Sequence, residues 1–180
     1  MAALEFLRLG KRRVHALHFD HGTEHGKEAR DWVESYCESR GIPLTVGRVS
    51  GVPAKGGSVE AWWREQRYSF LECSSPFQLI VTAHHLNDAV ENWLMTAIRG
   101  NPEVIPPQRG RFIRPFIATH KADLESWARS RGVPWLTDPT NAEEIHDRNY
   151  IRKNVVPHAL TLNPGIDKVI RKKVMQLAIS

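Results

Sequence analysis

RVHALHFDHG, residues 13–22, reads as a β-strand running out into a turn. Val14 and Ala16 alternate with polar neighbours, Leu17 and Phe19 add apolar bulk, and Asp20-His21-Gly22 ends the run. Residues 24–40 follow with Ala29, Trp32, Val33, Tyr36 and Cys37 at helical spacing, stopped by Gly41-Ile42-Pro43. LTVGRV at 44–49 is a second strand, 51–57 a Gly/Pro loop, and Ser58 caps a helix running to about Glu72. QLIVTA at 78–83 is a third strand, and a helix over 86–99 ends at Gly100. Ahead of all these, AALEFLRL at 2–9 gathers Ala2, Ala3, Phe6 and Leu7 on one helical side. Alternating strands and helices predict an α/β fold with a parallel sheet covered on both faces, holding 13–19, 44–49 and 78–83. Right-handed crossovers place every strand's C-terminal end on one edge, and ligands of such sheets bind there.

The second half of the chain is more broken. Prolines punctuate 100–118, with a short extended piece at Phe112-Ile113. A helix is expected from about Thr119 to Ser130, another from about Ile145 to Leu160, and a basic amphipathic helix over 165–180 as a truncated or peripheral tail. The domain reading is therefore 1–164 plus the tail 165–180. No internal repeat or low-complexity stretch appears.

At 180 residues with 41% apolar content, the chain suffices for a folded core and is not a disordered composition. The formal net charge of +5 favours an anionic partner such as nucleotide or nucleic acid, although many soluble domains are as basic. Cys37 and Cys73 lie in helix-like stretches without a CxxC neighbour, and are expected as buried thiols in a reducing compartment. No apolar run reaches membrane-span length, so no membrane partner is expected. The start does not read as a signal peptide, which places the protein in the cytoplasm.

Two motifs stand at strand C-termini: Asp20-His21-Gly22 and Ala83-His84-His85. In HHLNDAVEN at 84–92, Asp88 and Glu91 share one helix face in the first turns, where the helix N-terminus favours carboxylates. With an imidazole they offer ligands for Mg²⁺ or for a phosphate site; the plainer reading is a capped helix with a satisfied histidine. Zinc fits less well, because His84 and His85 are adjacent and no third ligand is evident.

HFDHG at 18–22, SVEAWWREQRYSFLE at 58–72, TAHHLNDAVEN at 82–92, IRG at 98–100, RPF at 114–116, WLTDPTN at 135–141 and DRNYIRKNVVP at 147–157 follow one another in order. Together, over about residues 1–164, they resemble the PP-loop ATP-pyrophosphatases, in the branch of the tRNA(Ile)-lysidine synthetases. The resemblance implies a ligase that uses ATP to adenylate the C2 oxygen of a wobble cytidine, releasing pyrophosphate, after which the amine of free lysine displaces AMP. It implies ATP and Mg²⁺ as cofactors, and tRNA and lysine as partners. Asp20, His21 and Gly22 would border ATP. Asp88, as a Mg²⁺ ligand, with His84 and Arg64 would be catalytic. Arg67, Arg148, Asn149 and Arg152 would meet substrate or tRNA. For each arginine the alternative is a solvated basic helix face.

This sequence departs from the family pattern. It holds no SGGxDS nucleotide loop, and Ala2–Leu9 stands where the helix after that loop belongs. The family's central first strand is thus expected to be missing, and one of three outcomes to follow: a strand from another chain or an upstream peptide fills the slot, the flanking strands close up, or the chain is a piece of a larger assembly. Asn87 replaces a frequent Asp and Thr23-Glu24-His25-Gly26 lacks the usual Leu-Arg, and the C-terminal tRNA-binding domains of longer relatives are expected to be absent. Another PP-loop nucleotide-modifying enzyme, or a non-catalytic RNA-binding or interaction remnant, are the alternatives.

Overall fold

The computed structural model describes residues 1–53, 55–56, 58–136 and 147–179. The chain divides into two units, Leu4–Ile80 and Val81–Ser180 with Met1–Ala3, and each is taken by itself.

The first unit follows helix α1 (Ala2–Leu9) with β1 (Ala16–Asp20), α2 (Glu24–Glu38), β2 (Leu44–Arg48) and α3 (Val59–Ser74). β1 and β2 pair in parallel, from Ala16 opposite Leu44 to Asp20 opposite Arg48. Parallel neighbours need a crossover, and α2 supplies it. Its start is fixed by Thr23, whose hydroxyl accepts the Gly26 N–H at 3.0 Å. Its end turns at Gly41, with φ of 61°. Tyr36 and Cys37 are the buried residues of α2.

A carboxylate is sealed into this unit. Glu5 of α1 is 5% exposed, takes two hydrogen bonds from Arg8 (2.6 and 2.9 Å) and one from the Tyr36 hydroxyl (3.1 Å), and has Arg40 Nε at 3.7 Å. The Arg40 guanidinium also lies 4.0 Å above the Tyr36 ring. The Arg8 hydrogen bond is the main force holding the Glu5 carboxyl below its ordinary range. Burial, with Glu5 beside it, pushes the Tyr36 hydroxyl up to about 12.

The second unit begins with β3 (Ile80–Val81), which crosses the unit boundary, and continues with α4 (Leu86–Ile98), β4 (Gln108–Arg109), β5 (Phe112–Ile113) and α5 (Lys121–Ser130). A long helical run follows: α6 (Asp147–Tyr150), a π-helical turn (Ile151–Val155), α7 (Val156–Leu162) and α8 (Ile166–Ile179). The sheet order is β3-β5-β4, with β4 and β5 antiparallel. The core is a cluster of Leu86, Ala89 and Val90 on α4, Ile117, and Ile166, Ile170 and Val174 on α8. Full burial of each large aliphatic side chain contributes about 1.5–3 kcal/mol. In the π turn the Val156 N–H reaches back five residues to Ile151 O. Pro157 has no N–H to give Lys153 O, which leaves the turn before it free to widen.

The α/β architecture with parallel pairing is present, and three expectations change. QLIVTA shortens to β3 and pairs with β5, so 78–83 and 13–19 lie in separate ladders, not in one sheet. Sequence pattern marks a stretch as extended but does not say which edge it joins; the return through Pro102, Pro106 and Pro107 brings Phe112-Ile113 to that edge. The stretch 165–180 is not peripheral: Ile170 and Val174 are fully buried. Cys37 is buried as expected, but Cys73 is exposed. The DPTN turn and the start of the expected 145–160 helix fall outside the described residues. Among described residues, no helix is long and apolar enough to cross a membrane.

Because the Glu5 carboxyl is lowered in the fold, its stabilisation is present above the ordinary carboxylate value of 4.5 and is lost as pH falls through the lowered value. Urea denaturation of the unaltered chain and of Glu5→Gln should show a wide gap at neutral pH that closes in strong acid. A gap independent of pH would contradict the ion-pair role.

Candidate functional site

β1 delivers Asp20, His21 and Gly22 together at its C-terminal end. Asp20 is 1% exposed. Its Oδ1 accepts the Gly22 N–H at 2.7 Å, closing the turn. Its Oδ2 has no hydrogen bond but lies 3.7 Å from Arg30 Nη1 and 3.6 Å from Arg48 Nε. A carboxylate so enclosed shapes the turn and does not face an incoming ligand. Gly22 is exposed with φ of 77°, a conformation costly for any residue with a Cβ. Gly26, in the first turn of α2, is tight as well: a Cβ there would sit 2.7 Å from Asp20 Oδ1.

The His21 ring packs edge-on to Phe19 (centroids 5.2 Å) and against Trp63 of α3 (5.3 Å). Burial, seconded by the charge of Arg67, lowers its pKa, so it is neutral at pH 7. Its Nδ1 is buried without a hydrogen-bond partner. Arg64 and Arg67 both lie over the Tyr68 ring, at 4.9 and 5.8 Å. The structure thus brings Asp20, His21, Gly22 and Arg67 into one neighbourhood. Arg64, by contrast, is exposed on α3.

In the second unit the HHLNDAVEN motif folds into the start of α4. His84 Nδ1 is 3.0 Å from the Thr82 hydroxyl. His85 is the N-cap in a reciprocal box: its N–H donates to Asp88 Oδ2 (2.9 Å), and its Nδ1 accepts from the Asp88 N–H (3.3 Å). That bond requires an unprotonated Nδ1, and burial lowers the His85 pKa in the same direction. Asp88 Oδ1 accepts from Arg148 Nη2 at 2.8 Å. Glu91, 4% exposed, accepts from Arg148 Nε (3.2 Å) and from Arg152 Nε and Nη2 (2.7 and 3.0 Å). Asn149 lies between these arginines in sequence, half-buried on α6.

Sequence reasoning placed Asp88 and Glu91 on one face but did not make Glu91 the hub. The available signal was spacing: carboxylates three apart on one helix and arginines four apart on another form complementary rows. A cavity of about 330 Å³ opens beside this hub, lined by His85, Asn87, Glu91, His120, Lys121 and Arg152 among others. At its rim His120 Nε2 meets Asp167 Oδ2 at 3.1 Å.

Mg²⁺ does not fit Asp88 as arranged. Both carboxylate oxygens are engaged, a guanidinium already neutralises the charge, and among described residues no cluster of three or more His, Cys, Asp or Glu is placed to hold a metal. The role that geometry supports is helix capping and pairing with Arg148. This is a larger structural part than an exposed N-terminal carboxylate would have.

Two outcomes follow. Asp88→Ala should cost about 0.5–2 kcal/mol in urea denaturation through the lost cap, and Mg²⁺ or EDTA should leave the melting temperature of the unaltered chain in place. A Mg²⁺-dependent rise that Asp88→Asn abolishes would overturn the assignment. Gly26→Ala should cost about 1–3 kcal/mol by overpacking against Asp20; a neutral effect would mean that the turn yields freely.

The PP-loop domain family matches residues 2–159. A tRNA(Ile)-lysidine synthase of Thermotoga sp. (strain RQ2) is 34% identical over 182 residues, covering 94% of this chain and 44% of that protein. The tRNA(Ile)-lysidine synthase of Shigella flexneri is 35% identical over 156 residues, covering 80% of this chain and 35% of its own length. The chain therefore spans less than half the length of these curated relatives. Among solved structures, the U34-tRNA thiolase NcsA from Methanococcus maripaludis, with its [4Fe-4S] cluster, superposes with a TM-score of 0.76 at 14% identity, over 97% of this chain and 66% of that one. That likeness concerns the fold alone. With the motif series and these matches together, the chain belongs to the PP-loop family, alongside the tRNA(Ile)-lysidine synthases.

Proposed function

We propose that this chain is the synthetase-like part, residues 1–164 completed by the α8 core helix, of an ATP-dependent cytoplasmic ligase that forms lysidine on a tRNA(Ile). In this reading the C2 oxygen of a wobble cytidine attacks the α-phosphorus of ATP and pyrophosphate leaves. The ε- or α-amine of free lysine then adds at C2, AMP departs with the oxygen, and the amine loses a proton. The observation that carries the reading is 34% identity to a tRNA(Ile)-lysidine synthase over 94% of the chain.

Residues of this chain take definite parts in the proposal. The exposed Gly22 backbone offers close approach to the nucleotide, held in shape by Asp20 behind it. The neutral His21 ring and Arg67 border the same place, since guanidinium matches phosphate. Arg64 lies exposed for substrate contact, and His84 stands at the end of β3. Arg148, Asn149 and Arg152 are the polar face toward substrate or tRNA, and Glu91 fixes the two arginines. No step is assigned to Mg²⁺ at Asp88.

ATP in this scheme also needs the phosphate-cradling SGGxDS loop, which these 180 residues do not contain. In this reading a further strand and loop, from the same polypeptide or from a second one, supplies it.

The test supplies tRNA(Ile) bearing a wobble cytidine, ATP and lysine to three preparations: this chain alone, this chain with an added peptide carrying the strand and SGGxDS loop, and the two fused. Mass analysis of the digested tRNA should show a lysine-dependent gain on cytidine in the fused or supplemented preparation and none with the chain alone. No gain in any preparation would overturn lysidine formation. A gain that needs a different nucleophile would point to another nucleotide-modifying PP-loop enzyme.

A further inference from the structure

Between Glu103 and Asp123 the sequence carries Arg109, Arg111, Arg114 and Lys121 and no carboxylate. The structure folds the first three into and beside one hairpin. Gln108 pairs with Ile113 and Arg109 with Phe112. Gly110 makes the turn with φ of 56°, and the Gln108 side-chain amide donates to Gly110 O at 3.1 Å. At the base, the Arg114 N–H donates to Pro107 O (2.8 Å) and its Nη1 to Pro106 O (3.0 Å). Two prolines and these bonds stiffen the ribbon before any partner arrives, which lowers the ordering cost of binding.

Side chains alternate across a ribbon and paired residues share a face. Arg109, Phe112 and Arg114 therefore lie on one face, the first exposed and the other two buried. Arg114 is 5% exposed, its Nε has no hydrogen-bond partner, and no carboxylate meets it among the described residues. Arg109 also faces no carboxylate there. Several other arginines of this unit do meet carboxylates, Arg99 with Asp147, Arg129 with Glu125, and Arg148 and Arg152 with Glu91, and Arg114 is the buried one that meets none among the described residues. A buried guanidinium without a counter-charge is costly, and an anion brought to the ribbon relieves that cost.

We infer that the β4–β5 hairpin is a docking surface for the phosphate backbone of RNA, with Arg109 on a phosphate and the uncompensated charge of Arg114 behind it. The inference rests on the RNA reading above. The guanidinium fork suits phosphate oxygens, and a contact to phosphate positions the RNA without selecting its sequence.

Binding of fluorescent tRNA to the unaltered chain, Arg109→Gln and Arg129→Gln is to be followed by anisotropy across a salt series. Arg109→Gln should weaken binding and reduce the slope of log affinity against log salt by about 1, and Arg129→Gln should leave the slope unchanged. Arg114→Gln should act in the same direction as Arg109→Gln, and Arg114→Lys should restore the slope, with circular dichroism confirming an intact fold. If the unaltered chain binds tRNA and Arg109→Gln behaves like Arg129→Gln, the hairpin inference falls and the RNA reading stands. If the unaltered chain binds no RNA even at low salt, both fall. If inorganic phosphate binds the unaltered chain but not Arg109→Gln, and leaves bound tRNA in place at the same ionic strength, the hairpin is a free-phosphate site and the inference is overturned.

Discussion

A carboxylate taken out of water must be met by cations and hydrogen bonds, or it costs several kcal/mol. Glu5, Asp20 and Glu91 are the buried carboxylates among the described residues, and each has two arginines beside it. Arg8 and Arg40 serve Glu5, Arg30 and Arg48 serve Asp20, and Arg148 and Arg152 serve Glu91. In each case at least one partner comes from a different element, so the ion pairs tie elements together. Glu91 does this over the longest sequence gap, joining α4 to the α6 and π-turn segment. Apolar burial on α4 and α8 supplies the bulk of the driving force there, and the carboxylate with its guanidinium pair sets where the polar helix lies.

The same rule explains why the motif residues divide into those that shape and those that remain available. Asp20 and Asp88 are committed inward, to Gly22 and Arg30 in one case and to His85 and Arg148 in the other. What they leave presented is an exposed Gly22 backbone, a neutral His21 ring and the outer edges of half-buried arginines. Arg114 is the inverse case, a buried cation that meets no carboxylate among the described residues, on a hairpin whose sequence from 104 to 122 holds none. The protein's basic excess of +5 is thus unevenly spent: much of the arginine is consumed internally, and the charge that remains uncompensated is concentrated at particular places.

Much of this was legible in the sequence. The strand ending at Asp20, helix α2 and strand β2 follow from alternation, helical spacing and the Gly41-Ile42-Pro43 stop, and the parallel pairing follows from the crossover. The motif series marked the family. Less legible were facts about pairing at a distance. Nothing local in QLIVTA names β5 as its neighbour. Nothing in HHLNDAVEN reveals that Arg148 lies against Asp88, although the matched spacing with RNYIR offered a hint. The amphipathic period of α8 was visible, but whether its apolar face of Ile166, Ile170 and Val174 was covered depended on α4, which the period does not mention. The engagement of Asp88 by His85 and Arg148 was hidden for the same reason: one of the carboxylate's partners comes from across the chain.

The dependence of the second unit on Glu91 is measured most directly by a double-mutant cycle. Urea denaturation of Glu91→Gln, Arg152→Gln and the double variant, against the unaltered chain at neutral pH, gives the coupling between the two side chains. The account predicts a favourable coupling of about 0.5–3 kcal/mol, with Glu91→Gln the more damaging single change because it strands two guanidiniums. Additive effects, or a Glu91→Gln chain as stable as the original, would contradict it.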